Sequence, residues 1–519
     1  MARRGRRAVG RVPSALSRPL VRWLSAAPCM ALAPLACSTP RSSAAAAPGA
    51  ELRSASSDGP IARENRAAGS SDWLITRIEG DTSQTRDGRY RRQRAIEGYV
   101  SHTSVRAGEV LTAFVSTEPP ARYDVEVYRM GYYGGAGARS MLKLGPFEGT
   151  AQGDPVEGER QLVEARWPAS FEIAIPSEWQ SGVYLAKLTT RGSGYQSYLV
   201  WVVRDERKAD LMFQVSDLTW QAYNRWPGWR SLYDWKGDPW HTKAVGAKVS
   251  FDRPYGFYYN KLPANFVPKT NGSGEFLLWE FPLAFWLESR GYDVTYVSGL
   301  DTHRDGEGIT RVKGFLSVGH DEYWSRRMFD NVTRARDAGV SLAFLSGNAV
   351  DGEITFSPSS AGRPERVFER ATGQRESNEF DDEHQLMGAT SYGVGLGDWI
   401  VRRPEHWLFA GTSMKEGDRV PGLVGWEYQG PPLKDDPSLV VLASGAVTSR
   451  RGEPQSPDYA ATLYDGPRGN IVFNAATCWW SMLLAAPPGF VNPPEEDFAR
   501  SDPRVQRMTQ NLVERMIQR

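Results

Sequence analysis

The feature that most constrains this chain is a change of hydrophobic period close to residue 205. Before it, apolar residues alternate in short runs separated by turn residues. Ser104 to Thr117 carries Val105, Val110, Leu111, Ala113 and Val115, and Tyr123 to Arg129 reads Tyr-Asp-Val-Glu-Val-Tyr-Arg. Phe171 to Ile175, Gly182 to Thr189 and Tyr195 to Val203 follow the same period of two, and a Gly192-Ser-Gly turn joins the last pair. Regularly spaced short strands of this kind predict an immunoglobulin-like β-sandwich over 72–205.

After Arg207 the period becomes that of alternating strands and helices. Leu211 to Val215, Asp293 to Val297, Gly314 to Val318 and Val340 to Leu345 are short apolar strands. Between them, Phe276 to Arg290 and Tyr323 to Ala338 read as helices closed by Gly291 and Gly339. This order predicts an α/β domain over 206–519, with a mainly parallel sheet and helices on both faces. Beyond Glu353 the pattern is weaker. Ser438 to Leu442, Ala460 to Tyr464 and Asn470 to Asn474 read as strands, and Pro503 to Gln518 as a closing amphipathic helix.

The start of the chain has another character. Met1 to Trp23 carries Arg3, Arg4, Arg6, Arg7, Arg11, Arg18 and Arg22 and no acid, and a short apolar run follows to Ala36. A basic start, an apolar middle and small residues predict an export signal over 1–37. Cys37, after Leu35-Ala36, resembles a bacterial lipobox, although Pro34 stands where that pattern has an aliphatic residue. A signal cut nearby with Cys37 incidental, or a mitochondrial-type presequence, is the other reading. The Ser/Ala/Pro/Gly-rich stretch 38–71 is expected to be a disordered linker. The localisation that follows is the cell envelope, as a lipid-anchored protein, or secretion.

Composition excludes several classes. With 62 basic and 61 acidic residues the net charge is +1, so nothing points to nucleic acid as a partner. Three Cys rule out a disulfide scaffold, and beyond Cys37 the folded part keeps only Cys478. No phosphate loop, HExxH helix or CxxC pair is present.

In open parallel sheets ligands bind beyond the carboxyl ends of the strands. There the sequence places Asp217 to Asn224 after the first strand, Gly319-His320-Asp321-Glu322-Tyr323-Trp324 after the third, and Ser346-Gly347-Asn348 after the fourth. His320 and Glu322 point the same way in extended backbone, as one metal ligand and one proton-transfer group. The plainer alternatives are a helix-start pair for Asp321-Glu322, a turn residue for Asn348 and a packing ring for Tyr223. Gly314-Phe-Leu-Ser317-Val-Gly319 has the wrong spacing for a nucleophile elbow.

Several segments resemble the large (β) subunit of N,N-dimethylformamidase and its relatives. They are Val127-Tyr-Arg-Met-Gly-Tyr-Tyr-Gly-Gly-Ala-Gly-Ala-Arg139, Thr219-Trp-Gln-Ala-Tyr-Asn224, Ser317-Val-Gly-His-Asp-Glu-Tyr-Trp-Ser325, Phe344-Leu-Ser-Gly-Asn348 and Pro421-Gly-Leu-Val-Gly425. The resemblance implies a glutamine-amidotransferase-like α/β domain and cleavage of a formamide C–N bond at a mononuclear iron held by two Tyr and one Glu. Carried over by motif, Glu322 and Tyr223 are iron ligands, with Tyr255 as second Tyr and Tyr258 and Tyr259 close competitors. His320 and Asn348 stand around the metal as catalytic groups. A small amide is the implied substrate, and a small subunit or a second copy the implied partner. The competing function is a non-catalytic, surface-anchored protein that binds carbohydrate or peptide. For it, Trp220, Trp226, Trp229, Trp235 and Trp240 would supply stacking faces.

Overall fold

The computed structural model describes residues 58–78, 92–228, 230–234, 246–256, 270–372, 380, 382–433, 438–449, 451–490 and 501–518. The export signal 1–37, Cys37, most of the stretch 38–71, and Tyr258 and Tyr259 lie outside them. Among the described residues, no helix is long and apolar enough to cross a membrane.

The first eight strands are β1 (Glu97–Val100), β2 (Ser104–Arg106), β3 (Val110–Ser116), β4 (Arg122–Met130), β5 (Ala138–Glu148), β6 (Phe171–Ala174), β7 (Gly182–Thr190) and β8 (Gln196–Arg204). They form a three-stranded sheet, β1-β3-β6, and a five-stranded sheet, β2-β8-β7-β4-β5. Alternation decides what lies between them. Leu111, Ala113 and Val115 of β3 face Val125 and Val127 of β4 and Ala186 and Leu188 of β7 in one apolar cluster. The opposite face of the larger sheet carries Tyr128, Met130, Val183, Leu185, Val200 and Val202, and these belong to a different core.

That second core lies under the α/β half. The chain continues through β9 (Ala209–Val215), β10 (Val249–Ser250), β11 (Val294–Ser298), β12 (Val312–Gly319), β13 (Tyr323–Ser325) and β14 (Ser341–Ser346). Next come β15 (Gly352–Ser357), β16 (Val367–Arg370), β17 (Ala389–Val394), β18 (Gly397–Ile400), β19 (Arg419–Val424) and β20 (Glu427–Pro432). Last are β21 (Val440–Thr448), β22 (Pro454–Asp465) and β23 (Ile471–Asn474). The main sheet has seven strands in the order β11-β9-β12-β14-β23-β22-β21. Its first five are parallel, and β22 and β21 add antiparallel at one edge. A mixed sheet, β10-β16-β15-β13, and two strand pairs, β17-β20 and β18-β19, complete a largely β architecture.

The helices are α1 (Pro60–Glu64), α2 (Asp217–Tyr223), α3 (Phe281–Ser289), α4 (Gly299–Arg304), α5 (Gly306–Ile309), α6 (Arg326–Asp337), α7 (Glu383–Met387) and α8 (Pro503–Ile517). They cover both faces of the main sheet. On one, α3 and α8 pack Leu283, Leu287, Met508 and Leu512 against Leu211, Leu316 and Leu345. On the other, α4 and α6 pack Leu300, Met328 and Val332 against Met212, Phe315 and Phe344. Strands buried on both sides explain the uninterrupted apolar runs of the sequence.

Three expectations are corrected. The helix expected over Tyr323 to Ala338 is split: Tyr323–Ser325 is strand, and α6 starts at Arg326, where Ser325 Oγ accepts from the Met328 N–H. Asp321 and Glu322 are therefore not a helix start. The helix expected from Phe276 opens instead with a π turn, Phe276–Glu280. The linker expected over 38–71 contains α1, which is held by tertiary contacts that no local pattern announces. Ile61 is buried, and Asn65 Nδ2 donates to Glu288 Oε2 at 2.7 Å while its Oδ1 accepts from the Tyr132 and Tyr133 N–H groups.

Glu288 is also the partner of Arg129, and both side chains are fully buried. The pair is bidentate at 2.9 and 3.0 Å and ties β4 to α3. Arg129 donates further to the Ser181 carbonyl and the Tyr133 hydroxyl, and Tyr296 Oη donates to Glu288. Gly131 must be glycine here, because a Cβ would strike the Glu288 carboxylate. Glu288→Ala would strand a buried guanidinium. It is expected to lower unfolding stability by about 3–5 kcal/mol, measured by urea denaturation; an unchanged midpoint would show that the two halves are joined by other contacts.

Candidate functional site

The carboxyl ends of β9, β12, β14 and β23 open on one region. Glycines permit the crowding there. Gly319 ends β12 at φ +75, and a Cβ on it would sit 2.7 Å from Trp279 Cβ in the π turn. Gly347 lies so close to the Glu427 carbonyl that a Cβ would overlap it. β20 is thus admitted against the end of β14, and Glu427 reaches the site.

His320 and Glu322 are both buried. Thr219 of α2 fixes their loop, because its Oγ1 accepts from the N–H groups of Glu322 and Tyr323 at 3.0 and 3.2 Å. Asp321 turns away and braces the sheet edge, accepting from Gln214 and Ser317.

Glu322 is the centre of an oxygen cluster. Tyr223 Oη donates to Glu322 Oε2 at 2.6 Å and Tyr233 Oη to Oε1 at 2.6 Å, and the two phenol oxygens are 2.9 Å apart. Beside it, His320 Nε2 lies 2.8 Å from Glu427 Oε2 and 3.4 Å from Glu322 Oε2. Nδ1 faces Glu275 Oε2 at 3.6 Å. Cys478 closes the group: donor atoms of His320, Glu427 and Cys478 lie within 4.8 Å of one another. Asn348, in left-handed backbone at φ +50, lies beside Glu427, and its side chain acts to lower that carboxyl.

Burial and charge divide these groups. Burial disfavours a charged imidazole, yet Glu427, with Glu275 and Glu322, holds the proton on His320 well above its ordinary range. Burial also pushes the Glu322 carboxyl upward, but His320, Arg370 and Tyr223 outweigh it and hold it below the usual value. For Glu427 burial wins over His320, and its carboxyl is raised. Burial and the Glu322 charge raise both phenols, Tyr223 and Tyr233, well above the normal tyrosine range. Burial pushes the Cys478 thiol up to about 12, which disfavours the thiolate.

Of the residues expected from sequence, the structure brings together Tyr223, Glu322, His320 and Asn348. It does not bring Tyr255 to Glu322. Tyr255 packs edge-on against Trp220, 6.2 Å between ring centroids, and lines a separate cavity with Asp217, Arg253 and Arg366. Tyr233 stands beside Glu322 instead. The reason is a chain reversal that spacing cannot reveal. Leu232 N–H donates to the Ala222 carbonyl, and the buried Arg253 donates to the carbonyls of Gln221, Asn224, Trp226 and Arg230. This folds 224–228 and 230–234 back under α2.

Tyr233, Glu427 and Glu275 escaped the sequence reading. Glu427 follows the Pro421-to-Gly425 segment by two residues, which was the available signal. Tyr233 was hidden among aromatics, and Glu275 precedes the π turn. Of the Trp cluster, Trp220 and Trp226 are buried and donate to Glu280 and Glu97, so neither presents a stacking face. Trp229, Trp235 and Trp240 lie outside the described residues.

The sequence profile of the family described as N,N-dimethylformamidase beta subunit-like, C-terminal, matches residues 124–495. The chain belongs to this family. The match starts inside β4, so it takes in most of the five-stranded sheet as well as the α/β half. No curated protein matches the chain.

Arg253→Leu would take the guanidinium away from four carbonyls, of which Gln221's keeps the Asn224 N–H. Faster proteolytic cleavage within 224–234 is expected, with the remainder of the chain resistant; an unchanged digestion pattern would show that the loop holds its course without Arg253.

Proposed function

We propose that the protein is an iron-dependent amidohydrolase that cleaves the C–N bond of a small, formamide-like amide, on a glutamine-amidotransferase-like α/β layer. The observation that carries the reading is the oxygen cluster. Glu322 and two phenol oxygens converge at 2.6–2.9 Å. In an octahedral shell with metal–oxygen bonds of ~2.0–2.1 Å, neighbouring oxygens stand ~2.9 Å apart. The donor set therefore fits a small, hard cation, and carboxylate and phenol oxygens suit iron better than the Cys and His preferred by structural zinc. Tyr223, Tyr233 and Glu322 would hold it. The family description supports the amide substrate.

An iron ion held there would polarise an amide carbonyl and acidify water. The chain's own groups supply the proton transfers. Glu427, raised by burial, takes the proton of the attacking water at Oε2. His320, held protonated, gives its Nε2 proton to the amine nitrogen as the C–N bond breaks. The 2.8 Å contact between them then returns the proton from Glu427 to His320, so the pair is reset. Asn348, beside Glu427 at the strand end, hydrogen-bonds the developing oxyanion. Opposed environments of two adjacent groups are the usual basis of such acid and base roles.

Glu322→Gln keeps the shape and removes the charge, so iron content and any visible phenolate band should fall while the melting transition survives. His320→Ala should keep most of the iron and lose ~10²–10⁴-fold in amine release from formamides. Full iron and full activity in Glu322→Gln would sink the site.

We extend the reading to export through 1–37 with anchoring at Cys37, supported by the lipobox-like Leu35-Ala36-Cys37. Cys37→Ser should then move the protein from the membrane fraction to the soluble fraction; unchanged recovery with membranes would remove the anchor. Association with a partner subunit rests on the family's description as beta subunit-like.

A further inference from the structure

Behind the oxygen cluster stands a second row of polar side chains that the proposed chemistry does not use. Arg370 Nη2 donates to Tyr323 Oη, and Tyr323 Oη donates to Tyr233 Oη. Tyr233 Oη donates in turn to Glu322 Oε1 at 2.6 Å. The three bonds run in one direction, from a cation to a carboxylate. The guanidinium carbon also lies 5.1 Å from the ring centroids of both Tyr233 and Tyr323. Tyr323 and Arg370 are buried, whereas Tyr233 keeps some exposure.

The mixed sheet sets this row. Tyr323 of β13 pairs with Gly352 of β15, and Arg370 of β16 pairs with Ile354 of β15. A Cβ at Gly352 would sit 2.5 Å from the Tyr323 ring, so the ring is held against the strand. The sheet therefore delivers one hydroxyl and one guanidinium beside Tyr233, and the Tyr323 hydroxyl bonds to Tyr233 although its ring stands as near to Tyr223.

We propose that Tyr323 and Arg370 are positioning residues that set how strongly the Tyr233 oxygen donates to a metal. The inference rests on Tyr223, Tyr233 and Glu322 being the donor set. A coordinating Tyr233 oxygen still receives the Tyr323 hydroxyl proton, and a hydrogen bond onto a charged oxygen is short and strong. It draws electron density from that oxygen. Arg370 keeps the Tyr323 hydroxyl aimed, because a guanidinium only donates and stays charged. Its charge acts through a buried, weakly screening interior. The two phenol oxygens thereby become unequal: Tyr233 the weaker donor, Tyr223 the stronger.

The test is the visible charge-transfer band of the iron-loaded full chain, with iron content and melting temperature measured on the same samples. Tyr323→Phe removes the hydroxyl and keeps the ring, and Arg370→Gln removes the charge. The expected result is an iron-to-protein ratio equal to the parent's and a band moved to longer wavelength, further in Tyr323→Phe than in Arg370→Gln. Arg370→Lys should restore part of the shift. A residue that only packs would change iron content or melting and leave the band in place. Variants that load iron with the band at the parent's wavelength, or that all lose iron, overturn the inference alone. A parent protein that takes up no iron overturns the metal reading and this inference with it.

Discussion

The buried pair of Arg129 and Glu288 is the constraint on which the rest of the molecule depends. Neither side chain reaches water, so each charge must be met by fixed partners, and it is: two carboxylate contacts, two carbonyls, two phenol hydroxyls and an asparagine amide converge on the pair. Such a pair adds little stability over an apolar one, but its loss leaves a charge stranded. What it confers is position. Glu288 sits near the end of α3, and the other end of α3 runs out of the π turn that carries Glu280, just after Glu275. Anchoring α3 on β4 therefore anchors the acid that Trp220 binds and the acid that faces His320. The β-sandwich is tied to the site through this helix.

At the site itself, burial and charge oppose each other. Three carboxylates surround one imidazole, and two phenols and a guanidinium stand behind. Buried acids are costly unless a cation meets them. His320 and Arg370 meet part of the demand, which is why Glu322 lies low and Glu427 lies high although both are buried. Membership of the N,N-dimethylformamidase beta subunit-like family fits a hydrolytic use of that arrangement.

Much of this was legible in the order of the residues. Alternation marked the strands of the sandwich, since a strand with one buried face has period two. Apolar runs marked β9, β11, β12 and β14, and the rule that parallel strands expose their carboxyl ends drew attention to His320, Glu322 and Asn348. Tyr223 was found by its motif. These features are local: each is fixed by neighbours within a few positions.

Tertiary structure decided the rest. That Tyr233 rather than Tyr255 lies against Glu322 depends on Arg253 gathering four carbonyls from the end of α2 and the segment after it. Glu427 enters because Gly347 leaves room for β20, a contact between segments about eighty residues apart in sequence. The π turn, the strand at Tyr323 and the docking of α1 likewise follow from contacts with distant residues, which outweigh local propensity. The sequence determined which groups could do chemistry and which edge would hold them. Only packing of remote segments decided which oxygens would meet, because a buried polar atom goes where its partners are, and partners far along the chain leave no periodic trace.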